Sequence, residues 1–238
     1  MIDIESIRSA VRTNITVTAD RAKVFFKTGS GHYAEDDEFI GVTVPNLRKL
    51  SKDFSNINLF VLQNLLSSKI NEERLLALFI LTSQYQKADT LSKEELHQFY
   101  LDNLQYVNNW NLVDASAHLI LGSHIYDKDR SILLQLAKSN ILWERRVAIV
   151  STWCFIKRND LEWTFKIANL LLDDKQDLIH KAVGWMLREA GKRDKTVLLK
   201  FLSQKAPIMP RTMLRYAIEK FPEEQRKTYL SMRKPSTA

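Results

Sequence analysis

The chain has 238 residues, 45% of them hydrophobic, with only six glycines and five prolines. That balance suits helices in one compact domain or a short repeat array and leaves little material for β-turns and long linkers. A single cysteine, Cys154, excludes an intramolecular disulfide and a cysteine-rich zinc site and fits a reducing cytoplasm. The segment after Met1, IDIESIRSAVR, has no apolar core of a secretory signal, and no apolar run approaches the roughly 20 residues of a membrane span. The formal net charge of +7 is unevenly placed: residues 1–100 hold 12 Lys and Arg against 13 Asp and Glu, residues 101–238 hold 23 against 15. Such asymmetry points to a polyanion partner for the C-terminal part, or serves solubility alone.

In chain order, residues 28–46, TGSGHYAEDDEFIGVTVPN, read as an irregular connector, because glycines and an acidic run interrupt any period. The glycines complete neither GxxxxGK[ST] nor GxGxxG, so the segment is not a phosphate cradle. Helical periodicity then predicts helices over 57–66, 70–86, 92–104, 110–125, 131–139, 142–157, 161–173, 177–190, 195–204 and 210–231, the last broken at Pro222. Ser92-Lys93-Glu94-Glu95 has capping-box spacing, and Gly191 and Asn140 are placed to close the helices before them in left-handed C-caps. No alternating strand or hairpin dipeptide interrupts the series. Helices of this length joined by short connections, with pairs recurring about every 35–40 residues, predict an all-α chain of HEAT-like antiparallel pairs. The expectation is a single domain, 1–238, stacked as a curved α-α superhelix whose concave basic face suits duplex DNA.

Three helices carry a tryptophan or a charge out of place. In 108–122, Leu112, Val113, Leu119 and Ile120 form the apolar stripe, while Trp110 and Asp114, at i and i+4, stand on the other side with His118 beyond them. In 141–157, Arg146 falls inside the stripe of Leu142, Trp143, Ile149, Val150 and Trp153, with Arg145 at its edge. A guanidinium there needs a carboxylate or phosphate, and Asp114 is one candidate. In 177–192, Ile179, Val183, Met186, Leu187 and Ala190 face the core, whereas Trp185 lies with Lys181, Arg188 and Lys192 within roughly 60°. Cations interleaved with an exposed aromatic ring suit nucleic acid. The ordinary readings are a salt bridge for Asp114, a structural pair for Arg146 and packing on a neighbouring repeat for Trp185. Cys154 reads as a core residue with no histidine placed to activate it. The five histidines show no metal-ligand spacing, so no metal is expected.

WNLVD at 110–114, WERRVAIVST at 143–152 and IHKAVGWMLREAGK at 179–192 resemble the three signature segments of AlkD-type DNA alkylation repair proteins. FFKTGSGHYAEDDEFIGVTVPNLRKL, 25–50, resembles that family's aromatic-Lys element followed by Gly-Val/Ile-x-x-Pro-x-x-Arg. The resemblance runs from about 20 to 225 and implies a HEAT-like DNA glycosylase. Such an enzyme hydrolyses the N-glycosidic bond of alkylated, cationic purines (3-methyladenine, 7-methylguanine) in duplex DNA without base flipping; no cofactor is expected, no lysine is placed as a nucleophile for lyase activity, and a cytoplasmic monomer is expected. It makes Asp114 the catalytic carboxylate, Trp110 and Trp185 the aromatic pair at the lesion, and Arg146, selected by WxxR, a partner at the site and the DNA backbone. Lys181, Arg188, Lys192, Arg145, Lys27 and Arg48 are the expected DNA-binding cations, and Trp185 is expected to be exposed, with the lesion's sugar as its partner. One departure is Asn109, where relatives often carry a second tryptophan. The alternatives are a non-catalytic binder of distorted or branched DNA and a protein-interaction scaffold.

Overall fold

The computed structural model describes residues 3–232. Two compact units emerge from the packing, residues 1–120 and 121–238. In the N-terminal unit, α1 (Ile4–Thr13) is capped by Asp3, whose carboxylate accepts from Ser6 N at 2.8 Å. Next come α2 (Ala19–Phe26) and α3 (Val44–Asp53), the latter with Pro45 in its first turn, where no amide hydrogen is needed. Asn58 caps α4 (Leu59–Leu66), and α5 (Asn71–Lys87), α6 (Thr90–Asp102) and α7 (Trp110–Ser116) follow.

The C-terminal unit contains α8 (Leu121–His124), α9 (Ser131–Ala137), α10 (Leu142–Ser151), α11 (Trp153–Lys157), α12 (Glu162–Leu170), α13 (Asp177–Arg193), α14 (Lys195–Lys205), α15 (Arg211–Ala217) and α16 (Glu223–Ser231). Among the described residues β-pairing is limited to the isolated bridges Ile15–Val42 and Glu38–Ile70. The protein is all-α, as its periodicity predicts.

Several local expectations are corrected. Asp89, not Ser92, caps α6: its carboxylate accepts from Ser92 N at 2.8 Å. The predicted helix 142–157 divides at Thr152, whose hydroxyl donates to Ile149 O at 2.7 Å while its amide bonds the same carbonyl in a tightened turn. The helix predicted over 110–125 stops at Ser116 and resumes at Leu121. His118, assigned to the polar side by an uninterrupted period, is therefore buried. Gly191 lies inside α13, and a Cβ there would come within 2.3 Å of Leu198 Cδ2, so its smallness admits α14 rather than closing a helix. Lys138, not Asn140, follows α9 as its C-cap. Pro222 does break the last predicted helix, between α15 and α16.

The core of the N-terminal unit is α5, buried around nearly its whole circumference, with α3, α4, α6 and α7 packed on it. Its first turn, Asn71-Glu72-Glu73-Arg74, is polar yet buried, and each side chain has a partner. The Glu72 carboxylate accepts from Gly41 N at 2.8 Å, Ile40 N at 3.1 Å and Val42 N at 3.4 Å. Glu73 accepts from Arg8 Nε at 3.4 Å, and Arg74 donates to Ser68 O and Lys69 O at 2.7 and 3.0 Å. The irregular segment before α3 is thus clamped onto α5. Gly41 makes this possible: its φ is +91°, and a Cβ would lie 2.0 Å from Val17 O.

The C-terminal unit is organised around α13, which packs against α10, α11, α12, α14 and α15. Gly184 lets α15 approach so closely that a Cβ would stand 2.4 Å from Met213 O and 2.5 Å from Tyr216 Cβ. Because one of those atoms is backbone, Gly184→Ala is expected to destabilise the protein by about 1–3 kcal/mol through overpacking. Thermal unfolding checks this; a melting temperature at or above wild type would contradict the close approach.

Candidate functional site

The N-terminal unit holds a cavity of about 1060 Å³ between α2, the stretch 42–44, α3, α5 and α7. On the two-turn helix α7, Trp110 and Asp114 are separated by i, i+4 and both line the cavity, as their spacing predicts. The walls are mainly apolar: Val24, Phe25, Phe26, Val44, Leu75 and Phe79. Arg21 and Arg48 are the cations, and the Arg48 guanidinium lies 4.3 Å from the centre of the Phe79 ring. Lys27 follows α2 with φ +53° and is exposed.

Trp110 is held in a defined pose. Phe39, Phe26 and Trp110 form a continuous stack, with centroid separations of 4.5 Å for the first pair and 5.2 Å for the second. Phe25 meets Trp110 edge-on at 5.6 Å and is itself 65% exposed. The indole Nε1 donates to Tyr33 Oη at 3.2 Å. One face of the indole is thus covered by Phe26, and Asp114 stands half-buried beside an aromatic wall. A carboxylate and aromatic faces in a partly desolvated cavity are suited to stabilising positive charge that develops on a bound molecule.

In the C-terminal unit the predicted residues have partners of their own. Arg146 is 5% exposed and donates through Nη1 to Leu178 O at 2.6 Å. Arg145 pairs with Asp174 at 2.6 Å and donates to Ser139 O at 2.9 Å. Lys181 meets Asp177 at 2.7 Å, and this hydrogen bond holds the Asp177 carboxyl below its ordinary range. Arg188 pairs with Glu189 at 3.3 Å and also with Glu219, while Lys192 meets Glu189 at 2.8 Å. The Glu219 carboxyl is lowered first by Lys220 and further by Arg188. Trp185 is half-buried, not fully exposed, because it packs edge-on against Trp153 with centroids 4.9 Å apart. Lys157 Nζ lies 4.1 Å from the centre of the Trp153 ring. Cys154 is buried, as its position beside the apolar stripe predicts.

The family model described as DNA alkylation repair enzyme matches residues 14–221. The chain belongs to that family. The solved structure of a predicted DNA alkylation repair enzyme from Enterococcus faecalis resembles it with a TM-score of 0.66 at 16% identity, over 87% of this chain and 95% of the other. At that identity the likeness shows a shared α-helical repeat fold. No curated protein matches the chain in sequence.

Membership in the DNA alkylation repair enzyme family gives the protein a role in alkylation repair, with DNA as the molecule it serves. No helix among the described residues is long and apolar enough to cross a membrane. Sequence periodicity places Trp110 and Asp114 on one side of their helix and Trp185 off its apolar stripe, but misses the aromatic wall around Trp110. Phe25 and Phe26 sit on an eight-residue helix, too short to declare a period, and Phe39 and Tyr33 come from irregular chain. Their available signal is compositional: five aromatic residues between 25 and 56 fall where no helix is predicted until 57.

Proposed function

We propose that this DNA alkylation repair enzyme is a monofunctional DNA glycosylase for alkylated, cationic purines in duplex DNA. The observation that supports it is the N-terminal cavity, where Asp114 and Trp110 stand together against an aromatic wall. Alkylation at N3 of adenine or N7 of guanine places a positive charge on the base. When the C1′–N9 bond breaks, its electron pair passes to the base, which departs neutral, and positive charge appears on the sugar. Asp114 stabilises that oxocarbenium-like state and orients a water whose oxygen bonds C1′ as its proton is lost. Indole contacts contribute about 0.5–2 kcal/mol each toward the cationic base or sugar.

Since the lesion supplies the leaving-group quality, the base is cleaved while still stacked, without the extrusion that neutral lesions demand. In the C-terminal unit we assign phosphate contacts to Lys181, Arg188 and Lys192 and a sugar contact to Trp185. The ion pairs of Lys181 and Lys192, whose side chains are 38% and 48% exposed, contribute little and yield to phosphate. Arg145 and Arg146, tied to Asp174, Ser139 and Leu178, hold α10 against the start of α13.

Incubation of methylated duplex DNA with the protein, beside a uracil-containing duplex, tests the reading. Released 7-methylguanine and 3-methyladenine are expected above the spontaneous background, with uracil retained. Uracil release would overturn the leaving-group argument. DNA binding without any release would make the protein a non-catalytic binder.

A further inference from the structure

The acidic run 35–38 has the composition of a solvated loop, yet the Asp37 side chain is only 5% exposed. Its carboxylate collects three donors: Arg74 Nη2 at 2.5 Å, Asn109 Nδ2 at 2.7 Å and Asn71 Nδ2 at 2.9 Å. Asn71 Oδ1 in turn accepts from Asn111 Nδ2 at 2.7 Å. The two residues flanking Trp110 in the chain are therefore tied to one buried cluster, and Trp110 itself is tied to Tyr33 of the same irregular segment.

Asn109 stands at the N-cap of α7 in extended conformation and is fully buried. Asparagine there ordinarily turns its amide oxygen onto the free amides of the first helical turn. This one does not: α7 has no side-chain cap, and Asn109 Oδ1 is buried without a hydrogen-bond partner. The side chain is spent instead on a carboxylate 72 residues away in the chain. Seven residues make too short a helix to hold its own place by helical propensity. A helix that gives up its cap for a distant tether, and leaves a buried oxygen unmatched, is built for position.

We propose that Asp37 is a positioning residue: through Asn109 directly, and through Asn71 to Asn111, it fixes the start of α7 and so the stance of Trp110 and Asp114 in the cavity. The catalytic consequence rests on the glycosylase reading; the positioning does not. Asn109→Ser is the decisive variant, since serine restores an ordinary helix cap but is too short to reach Asp37. Asn109→Ala removes both cap and tether. The full chain, labelled with 5-fluorotryptophan, supplies five fluorine resonances, and Trp110→Phe assigns one of them to Trp110. The other four, from residues 143 to 185, serve as internal controls.

In Asn109→Ser the Trp110 resonance is expected to shift or broaden alone. Single-turnover excision at saturating protein should fall roughly 100-fold, the scale of a displacement near 1 Å, with duplex affinity held. A wild-type Trp110 resonance together with a wild-type rate would overturn the proposal. So would collapse of all five resonances in step with the unfolded fraction, which is what a purely structural role predicts. If the wild-type protein excises nothing while the Trp110 resonance still moves in the variant, the glycosylase reading fails and the positioning role stands.

Discussion

Asp114→Asn is expected to lower single-turnover release of 7-methylguanine and 3-methyladenine by roughly 100- to 1000-fold, with duplex affinity little changed. The substitution keeps the shape of the side chain and removes its charge. In the cavity that charge lies among Phe25, Phe26 and Trp110, where fewer waters screen it than on an open surface. Loss of one preorganised group of this kind costs about 3–4 kcal/mol of transition-state stabilisation. Chromatographic quantification of free base checks it, with a protein-free control because cationic purines also depart spontaneously. A rate equal to wild type would remove Asp114 from the chemistry, and a matched loss of rate and affinity would reduce it to a recognition residue.

Glu72→Ala is expected to carry the largest stability cost, about 3–5 kcal/mol, at about 1–3 kcal/mol for each backbone donor left unsatisfied. The carboxylate is buried and takes the backbone amides of Ile40, Gly41 and Val42, so truncation leaves three donors without their acceptor, those of Gly41 and Val42 buried. For a chain of this size the melting temperature should fall by roughly 6–20 °C. Glu72→Gln should lie between, because the amide oxygen still accepts while its NH2 group faces a donor. The damage reaches the site, since the clamped stretch continues into Thr43, Val44 and Arg48 of the cavity wall. Thermal unfolding followed by circular dichroism decides the matter: a shift of a degree or two would mean that the amides find other acceptors.

The two expectations differ in how visible they are before folding. Asp114 is legible because i, i+4 spacing from Trp110 is a property of four consecutive peptide units, and a helix carries both to one side whatever surrounds it. Glu72 is invisible by the same logic. A turn reading Asn-Glu-Glu-Arg belongs on a surface by every hydropathy rule, and it is buried only because residues 8, 37 and 40–42 come to meet it. Trp185 falls between the two. Its departure from the apolar stripe is read correctly from the period, but Trp153, on a helix separated by the turn at Thr152, takes part of its surface.

From its residues alone, then, the chain determined its helical class, the break at Pro222, the burial of Cys154 and the pairing of Trp110 with Asp114. All of these follow from local periodicity or single-residue chemistry. The tertiary structure decided which polar groups are buried, how the cations of the C-terminal unit are partnered, and the pose of Trp110 between Phe26 and Tyr33. Those outcomes depend on contacts between residues tens of positions apart, and a buried carboxylate or asparagine is tolerated only where such contacts supply its hydrogen bonds.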